Sequence, residues 1–306
     1  MTECAIEWNG LSLADWEARF SRVRRSNLLQ SYSYAQAACA VNRQRARWGL
    51  IKIDGQEAGL LQLFEAGFLG LHAVILDRGP LWLPGCGTPA HLAAFFAAFD
   101  REFPRRFGRR RRIIPETGTV LIPYQAAPGV KPYQTIWVDL SQDEEQLRAG
   151  LRKNWRNALS KAERGNMRML WDGKGAGLDW LLRHHEAHRT MKNFQAASPK
   201  FIRALASAFA PRGAMLTGQA FIGEEPVAAV LFFRHGSSAT YQIGWSGEAG
   251  RQASAHQLLL WQGMTALKAQ GVLDLDLGGI NDLAEGIKAF KQGMGGESVT
   301  LGGMYL

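Results

Sequence analysis

A chain of 306 residues is long enough for two domains of ordinary size, and a composition 46% hydrophobic and 21% charged excludes a disordered or fibrous protein. The net charge is +9, and only ten of the 36 basic residues are lysine. Such a balance favours a polyanionic partner (nucleic acid, a phosphorylated substrate or an acidic membrane surface), although arginine-rich faces also serve as solvated surface.

Three cysteines, Cys4, Cys39 and Cys86, stand too far apart for a CxxC metal site and too few for a disulfide framework. A reduced cytoplasmic compartment fits them. The opening MTECAIEWNG is acidic and polar, unlike a signal peptide. No run approaches the roughly 18 apolar residues that span a bilayer, so membrane contact is expected to be peripheral, at the inner face.

In chain order, residues 12–25 read as a helix with Trp16, Phe20 and Val23 on one face. Ser33 and Gln36 have the spacing of a capping box that opens a second helix. Trp48–Ile53 and Ala58–Phe64 form a β-hairpin across Asp54-Gly55. A buried strand in HAVILDRGPLWLPG ends at Gly79-Pro80, Thr88-Pro89 starts a helix to about 103, and RIIPE is a short strand. Residues 117–134, rich in Gly, Pro and Thr, read as the linker.

The strand QTIWVDL follows over 134–140. Ser141 and Glu144 then suggest a capping box. Leu147, Leu151, Trp155, Ala158 and Ala162 keep one apolar face of a single long helix that stops at Gly165. Arg148, Arg152 and Arg156 form a stripe beside that face, with Lys153 and Lys161 close by, and Arg109 to Arg112 make a second basic run. Helices are expected over 178–190, 199–210, 253–270 and 282–290. Strands are expected near 214–222, 227–234, 238–244, in VLDLDL, and at 298–305. Both halves mix helices with antiparallel strands, so the expected class is α+β, a mixed twisted sheet flanked by helices present twice. The first unit is placed at 1–140, with a C-terminal strand over 297–306 able to return to it, and the second at 141–296.

No G-x-S-x-G, P-loop or G-x-G-x-x-G occurs. His184, His185 and His188 lie in HHEAH, which is not HExxH, and a third ligand for a two-histidine zinc site is not evident. The reading is therefore of chemistry without metal or cofactor. Two glycine-rich stretches remain, LDLGGIN over 275–281 and KAFKQGMGG over 288–296. Either is a tight turn or a place where backbone N–H groups approach an anion, and Lys291 adds a positive charge to the second.

The segment IWVDLSQDEEQLRAGLRKNWRNALSKAERGNMRM and the ending GGINDLAEGIKAFKQGMGG resemble the FemABX aminoacyltransferases, whose signature is GGi…gi..FK.gfGG. NLLQSYSYAQA and LDRGPLW resemble that family's QS and rGP segments. The likeness spans about 28–300 and departs at Met294, where the family usually has an aromatic residue. The long helical-hairpin insertion of some members, associated with tRNA contact, is missing. The resemblance implies two GNAT-like (acetyltransferase-like) domains that transfer an amino acid from aminoacyl-tRNA to an amine of a phosphorylated or lipid-linked cell-wall precursor. It makes Lys291 the candidate catalytic residue. Phe290, Gly278, Gly279, Asn281, Gly293, Gly295 and Tyr241 become candidate substrate contacts, with Arg152, Arg156 and Lys161 on the basic stripe. Asp274 and Asp276 alternate on the strand leading to the site, but neither is singled out as a base.

An acetyl-CoA enzyme of this fold carries [QR]-x-x-G-x-[GA], and the equivalent Arg251-Gln252-Ala253-Ser254-Ala255-His256 is degenerate. An N-acyltransferase using acyl-CoA or acyl carrier protein on a small amine is the first alternative. A non-catalytic RNA- or envelope-binding module is the second.

Overall fold

The computed structural model describes residues 2–116, 126–192, 194–280 and 284–306. They form two contact units, Met1–Tyr133 with Thr300–Leu306, and Gln134–Val299. Most of the expected linker, 117–125, lies outside the described residues.

The first unit runs β1 (Cys4–Trp8), α1 (Leu13–Phe20), α2 (Tyr32–Asn42), β2 (Arg45–Ile53), β3 (Gln56–Phe68), β4 (Leu71–Asp77), β5 (Leu81–Trp82), α3 (Pro89–Glu102) and β6 (Arg109–Ile114). Its sheet has the order β1-β2-β3-β4-β6, with β5 on β3. Every pairing is antiparallel except the parallel one between β4 and β6. Asp54 and Gly55, both at positive φ, turn the expected hairpin. Thr88 caps α3 by accepting from the His91 N–H, with Pro89 beside it. The cap of α2 differs from the expected one. Ser31, not Ser33, accepts from the helix (Tyr34 N–H), and Ser33 is buried in its first turn.

Phe95, Phe96 and Phe99 from α3, and Phe103 at its C-cap, pack with Leu61, Leu63, Val74, Leu76 and Tyr305 against one sheet face. The QS and rGP segments meet in a buried polar network. Gln30 accepts from the Gln62 N–H (2.7 Å) and donates to the carbonyls of Gln62 and Asp77 (2.9 and 2.8 Å). Asn27 donates to the Arg78 carbonyl, and Arg78 pairs with Glu116 at 2.7 Å. These segments therefore hold α2 onto the sheet, because a buried amide must spend its donors and acceptors internally.

The second unit contains β7 (Gln134–Asp139), α4 (Glu144–Gly150), α5 (Lys153–Glu163), β8 (Arg168–Asp172), α6 (Leu178–Lys192), α7 (Pro199–Phe209), β9 (Met215–Ile222), β10 (Glu225–His235) and β11 (Ser238–Ser246). There follow α8 (Glu248–Gln252), α9 (Ala255–Ala269), β12 (Asp274–Asp276), α10 (Glu285–Gln292) and β13 (Glu297–Thr300). Its sheet has the order β13-β7-β12-β11-β10-β9-β8. The strand over 134–139, left in the first unit by the sequence reading, lies inside this sheet. The fold is α+β with a mixed sheet in each unit.

One long helix was expected over 144–164, and the structure breaks it. Asp143 and Gln146, not Ser141 and Glu144, form the capping box of α4. The chain is extended at Leu151 and Arg152 before α5 begins. Tertiary contacts hold the break open: the Arg152 N–H donates to the Gly293 carbonyl at 2.9 Å. Gly295, at φ +78, lies so close to Gly150 that a Cβ on it would come 2.4 Å from the Gly150 carbonyl. The apolar face survives the break, since Leu147, Leu151, Trp155 and Ala162 are buried in one core with α9 and the sheet, although Leu159 takes the place expected of Ala158, which is only partly buried.

Candidate active site

The site grows from the place where β11 and β12 part. The two strands run parallel for three residues only, the last pair being Thr240 and Asp276. Beyond it β11 continues to Ser246, while the chain after β12 turns away and bridges Ile280 to Gln134. β11 also bulges against β10 between Ile243 and Tyr241. The gap is walled by α10 and by the start of α9, and it leaves a cavity of about 510 Å³.

Lys291, on the last turn of α10, lines this cavity and donates its Nζ to the Gly279 carbonyl at 2.8 Å. Burial lowers its pKa to about 8, and the Asp276 carboxylate opposes that shift. Asp276 is fully buried, accepts from the Thr135 hydroxyl, and takes the Gly278 N–H at 2.8 Å. It is a buried carboxylate near enough to Lys291 to act on its titration.

Tyr241, from β11, places its hydroxyl 2.9 Å from His256 Nε2 on the first turn of α9. Burial lowers the His256 pKa to about 4, helped by the Lys291 charge, so the imidazole is neutral at pH 7. Burial raises the Tyr241 phenol, which stays protonated. Phe290 meets the His256 ring edge-on at 5.5 Å, and Lys291 Nζ lies 5.9 Å from the Tyr241 ring centre. Gly244 makes room for the pair: a Cβ there would come 2.3 Å from the Tyr241 hydroxyl and 2.5 Å from His256 Cε1.

A second cavity of about 420 Å³ lies on the other side of Phe290 and Gln257, which line both. Arg152, Lys153 and Asn154 at the start of α5 border it, with Trp155 and Gly293. Trp155 is 5% exposed, and its Nε1 has no hydrogen-bond partner among the described residues. The remaining stripe residues are committed elsewhere. Arg156 donates to the Ala149 carbonyl, Lys161 to the Gln252 carbonyl, and Arg148 pairs with Glu163 at 2.6 Å. In the second basic run, Arg111 pairs with Asp100 and Arg112 with Asp77.

The structure thus brings Lys291, Phe290 and Tyr241 to one cavity, with Gly279 bonded to Lys291 and Gly278 beside it, and Arg152 with Gly293 and Phe290 to the other. Asn281 lies outside the described residues. Of the two readings of the glycine stretches, the structure favours the tight turn. The N–H groups of Gly293 and Gly295 are spent on the carbonyls of Phe290, Ala289 and Gln292. That of Gly278 is spent on Asp276, and Gly279 offers its carbonyl to Lys291. These glycines permit close packing rather than a nest of free donors. A Cβ on Gly293 would come 2.7 Å from Trp155, and one on Gly296 would come 2.6 Å from the Trp137 carbonyl.

Sequence reasoning missed His256 as a partner of Tyr241, since it was read only as a defect in a coenzyme motif. Ser254, in the glycine slot of that motif, adopts the left-handed conformation (φ 57) that glycine takes easily. Among the histidines read for zinc, His184 packs between Trp180 and Trp245, each with its ring centre 4.3 Å away. His185 and His188 pack on Phe194, and no group of three His, Cys, Asp or Glu placed to hold a metal occurs among the described residues.

The acetyltransferase (GNAT) domain family matches residues 148–292. The crystal structure of FemX superposes with a TM-score of 0.79 at 13% identity, covering 98% of this chain and 96% of that one. Residues 148–292 therefore carry a GNAT domain, and the chain as a whole shares the FemX fold. Its GNAT domain makes it an acyltransferase. A tandem GNAT protein from the clavulanic acid pathway aligns over 98% of both chains with a TM-score of 0.50 at 13% identity. The DUF2156 domain of a putative lysylphosphatidylglycerol synthetase from Agrobacterium fabrum aligns over 96% and 92% with a TM-score of 0.52, also at 13% identity. Comparison with curated proteins by sequence finds no match.

Proposed function

We propose that this FemABX-like acyltransferase makes an amide, taking an aminoacyl group from aminoacyl-tRNA to an amine of a cell-wall or envelope precursor. The carrying observation is the placement of Lys291: a partly buried ammonium held by the Gly279 carbonyl beside the Tyr241–His256 pair, in a cavity wide enough for an acyl group. An aminoacyl ester is already activated. The amine nitrogen attacks its carbonyl carbon, the C–N bond forms, negative charge develops on the carbonyl oxygen, and the ester C–O bond then breaks. The amine loses a proton and the departing sugar oxygen gains one. Lys291, still mostly cationic at pH 7, offsets the oxyanion charge where water is partly excluded, and one such donor contributes about 10²–10³ in rate. Phe290 separates this cavity from the α5 cavity. There Arg152 and Lys153 suit the phosphates of the donor or of the precursor. Arg156 and Lys161 do not line that cavity, and, held on the Ala149 and Gln252 carbonyls, they add only their charge to this side of α5. The shared fold includes a protein whose name describes an aminoacylated lipid, which supports an envelope acceptor.

A thioester donor is the second reading, favoured by the GNAT match and by Arg251 beside the same cavity. Exchange of donors separates the two. With labelled acyl groups and an envelope-precursor extract, the aminoacyl reading expects label from charged tRNA in a new amide. Transfer from acyl-CoA alone replaces it with the second.

A further inference from the structure

The first unit carries an apolar tip that neither its core nor the acyl-transfer reading uses. The β3–β4 hairpin turns at Leu69 and Gly70, both at positive φ, and this turn leaves Leu69 86% exposed and Leu71 63% exposed. A second turn, closed by the Arg109 N–H on the Arg106 carbonyl at 3.1 Å, holds Phe107 at its apex, fully exposed. The two turns touch. The His72 N–H donates to the Gly108 carbonyl at 2.7 Å, and a Cβ on Gly108 would come 2.9 Å from the Gly70 carbonyl. Three large apolar side chains therefore leave the protein from one end of the sheet. Turn apices ordinarily hold Pro, Gly, Asn or Asp, so a Phe fully in water and two Leu beside it need an occupant.

The collar around the tip is cationic. Arg105, Arg106 and Arg110 are exposed, and Arg109 leans on His72 Nδ1 at 3.2 Å. The nearby carboxylates are already paired, Glu65 with His72 and Arg47 and Glu102 with Arg47, which leaves Arg105, Arg106 and Arg110 to carry the exposed charge. We infer that this tip docks the protein on an anionic phospholipid bilayer, with Phe107, Leu69 and Leu71 entering the acyl boundary and the arginines meeting lipid phosphates. Apolar side chains beneath a basic collar match the layered chemistry of such a surface. A nucleic acid would use the arginines and could stack on Phe107, but it gives no apolar environment to the two leucines.

The test uses the full chain in flotation with phosphatidylcholine vesicles, with and without phosphatidylglycerol. The wild type is expected on the anionic vesicles and at least about tenfold less on neutral ones, with binding falling as salt rises. Phe107→Ser with Leu69→Ser, and separately Arg106→Glu, are each expected to lower partitioning at least about tenfold with the thermal midpoint unchanged, since all three sites are exposed. In Phe107→Trp, emission from the introduced indole is expected to shift to the blue on anionic vesicles only. Absence of wild-type binding to phosphatidylglycerol vesicles, or equal binding by the variants, overturns the assignment. So does a concentration-dependent dimer lost in Phe107→Ser, or binding to single-stranded RNA in place of vesicles.

Discussion

Lys291 and Gly279 are joined by a 2.8 Å hydrogen bond from the ammonium to the backbone carbonyl, and that bond ties the last turn of α10 to the double glycine after β12. The contact fixes the position of the ammonium without neutralising it. Asp276, the buried carboxylate that raises its pKa, is occupied by Thr135 and Gly278.

Lys291→Ala is expected to lower kcat/KM by about 10²-fold or more, the scale of losing one oxyanion donor. Its thermal midpoint should stay within a few degrees. Lys291→Arg should recover little, because a planar guanidinium places its donors differently from a compact ammonium. Steady-state kinetics beside thermal melts check both, and wild-type turnover in Lys291→Ala removes the lysine from the chemistry.

The pH dependence has a definite sign. The folded-state pKa of Lys291 is about 8, below the 10.5 of an ordinary lysine, so the cation is lost and kcat should fall above about pH 8. For stability, folding favours the neutral amine. The penalty is complete below pH 8 and is relieved as pH rises to about 10.5. Denaturant melts should therefore show wild type gaining about 2–3 kcal/mol on Lys291→Met across that window. His256 acts with the same sign in a lower window. Its folded pKa is near 4, and the neutral ring is stabilised between 4 and 6.5, so stability is lost as pH falls through that range.

Two glycines separate packing from chemistry. Gly295→Ala must fit a Cβ 2.4 Å from the Gly150 carbonyl at φ +78, and a loss of about 2–4 kcal/mol in denaturant melts is expected. Gly244→Ala meets the movable ends of Tyr241 and His256 instead. It should cost at most about 1–2 kcal/mol while displacing the pair and lowering kcat. Equal stability losses in the two variants would contradict this division.

Much of the fold was legible because its signals are local. The Asp54-Gly55 hairpin and the Thr88-Pro89 helix start depend on residues a few positions apart. The break at Leu151–Arg152 was not legible, since the apolar face runs straight through it. Its cause is distant in sequence, at Gly293 and Gly295. Edge strands β1 and β8 were also missed, each being short and paired on one side only. At the site, Lys291 and Phe290 were found through a motif. The Tyr241–His256 bond was not, because it joins a strand and a helix through space.

Arg152 borders the α5 cavity, whereas Arg148 is paired with Glu163. Arg152→Glu should raise the KM of the phosphate-bearing substrate about tenfold and flatten its salt dependence, and Arg148→Gln should change neither by more than about twofold. Kinetics at several salt concentrations distinguish these, and equal effects of the two would reduce the stripe to surface charge.

Single-turnover transfer from labelled aminoacyl-tRNA to an amine-bearing precursor, run with wild type and Lys291→Ala, tests the central claim most directly. The account predicts a new amide carrying the amino acid with wild type, and a rate lower by about 10²-fold with the variant. Amide formation from acyl-CoA alone, or equal rates for the two proteins, would contradict it.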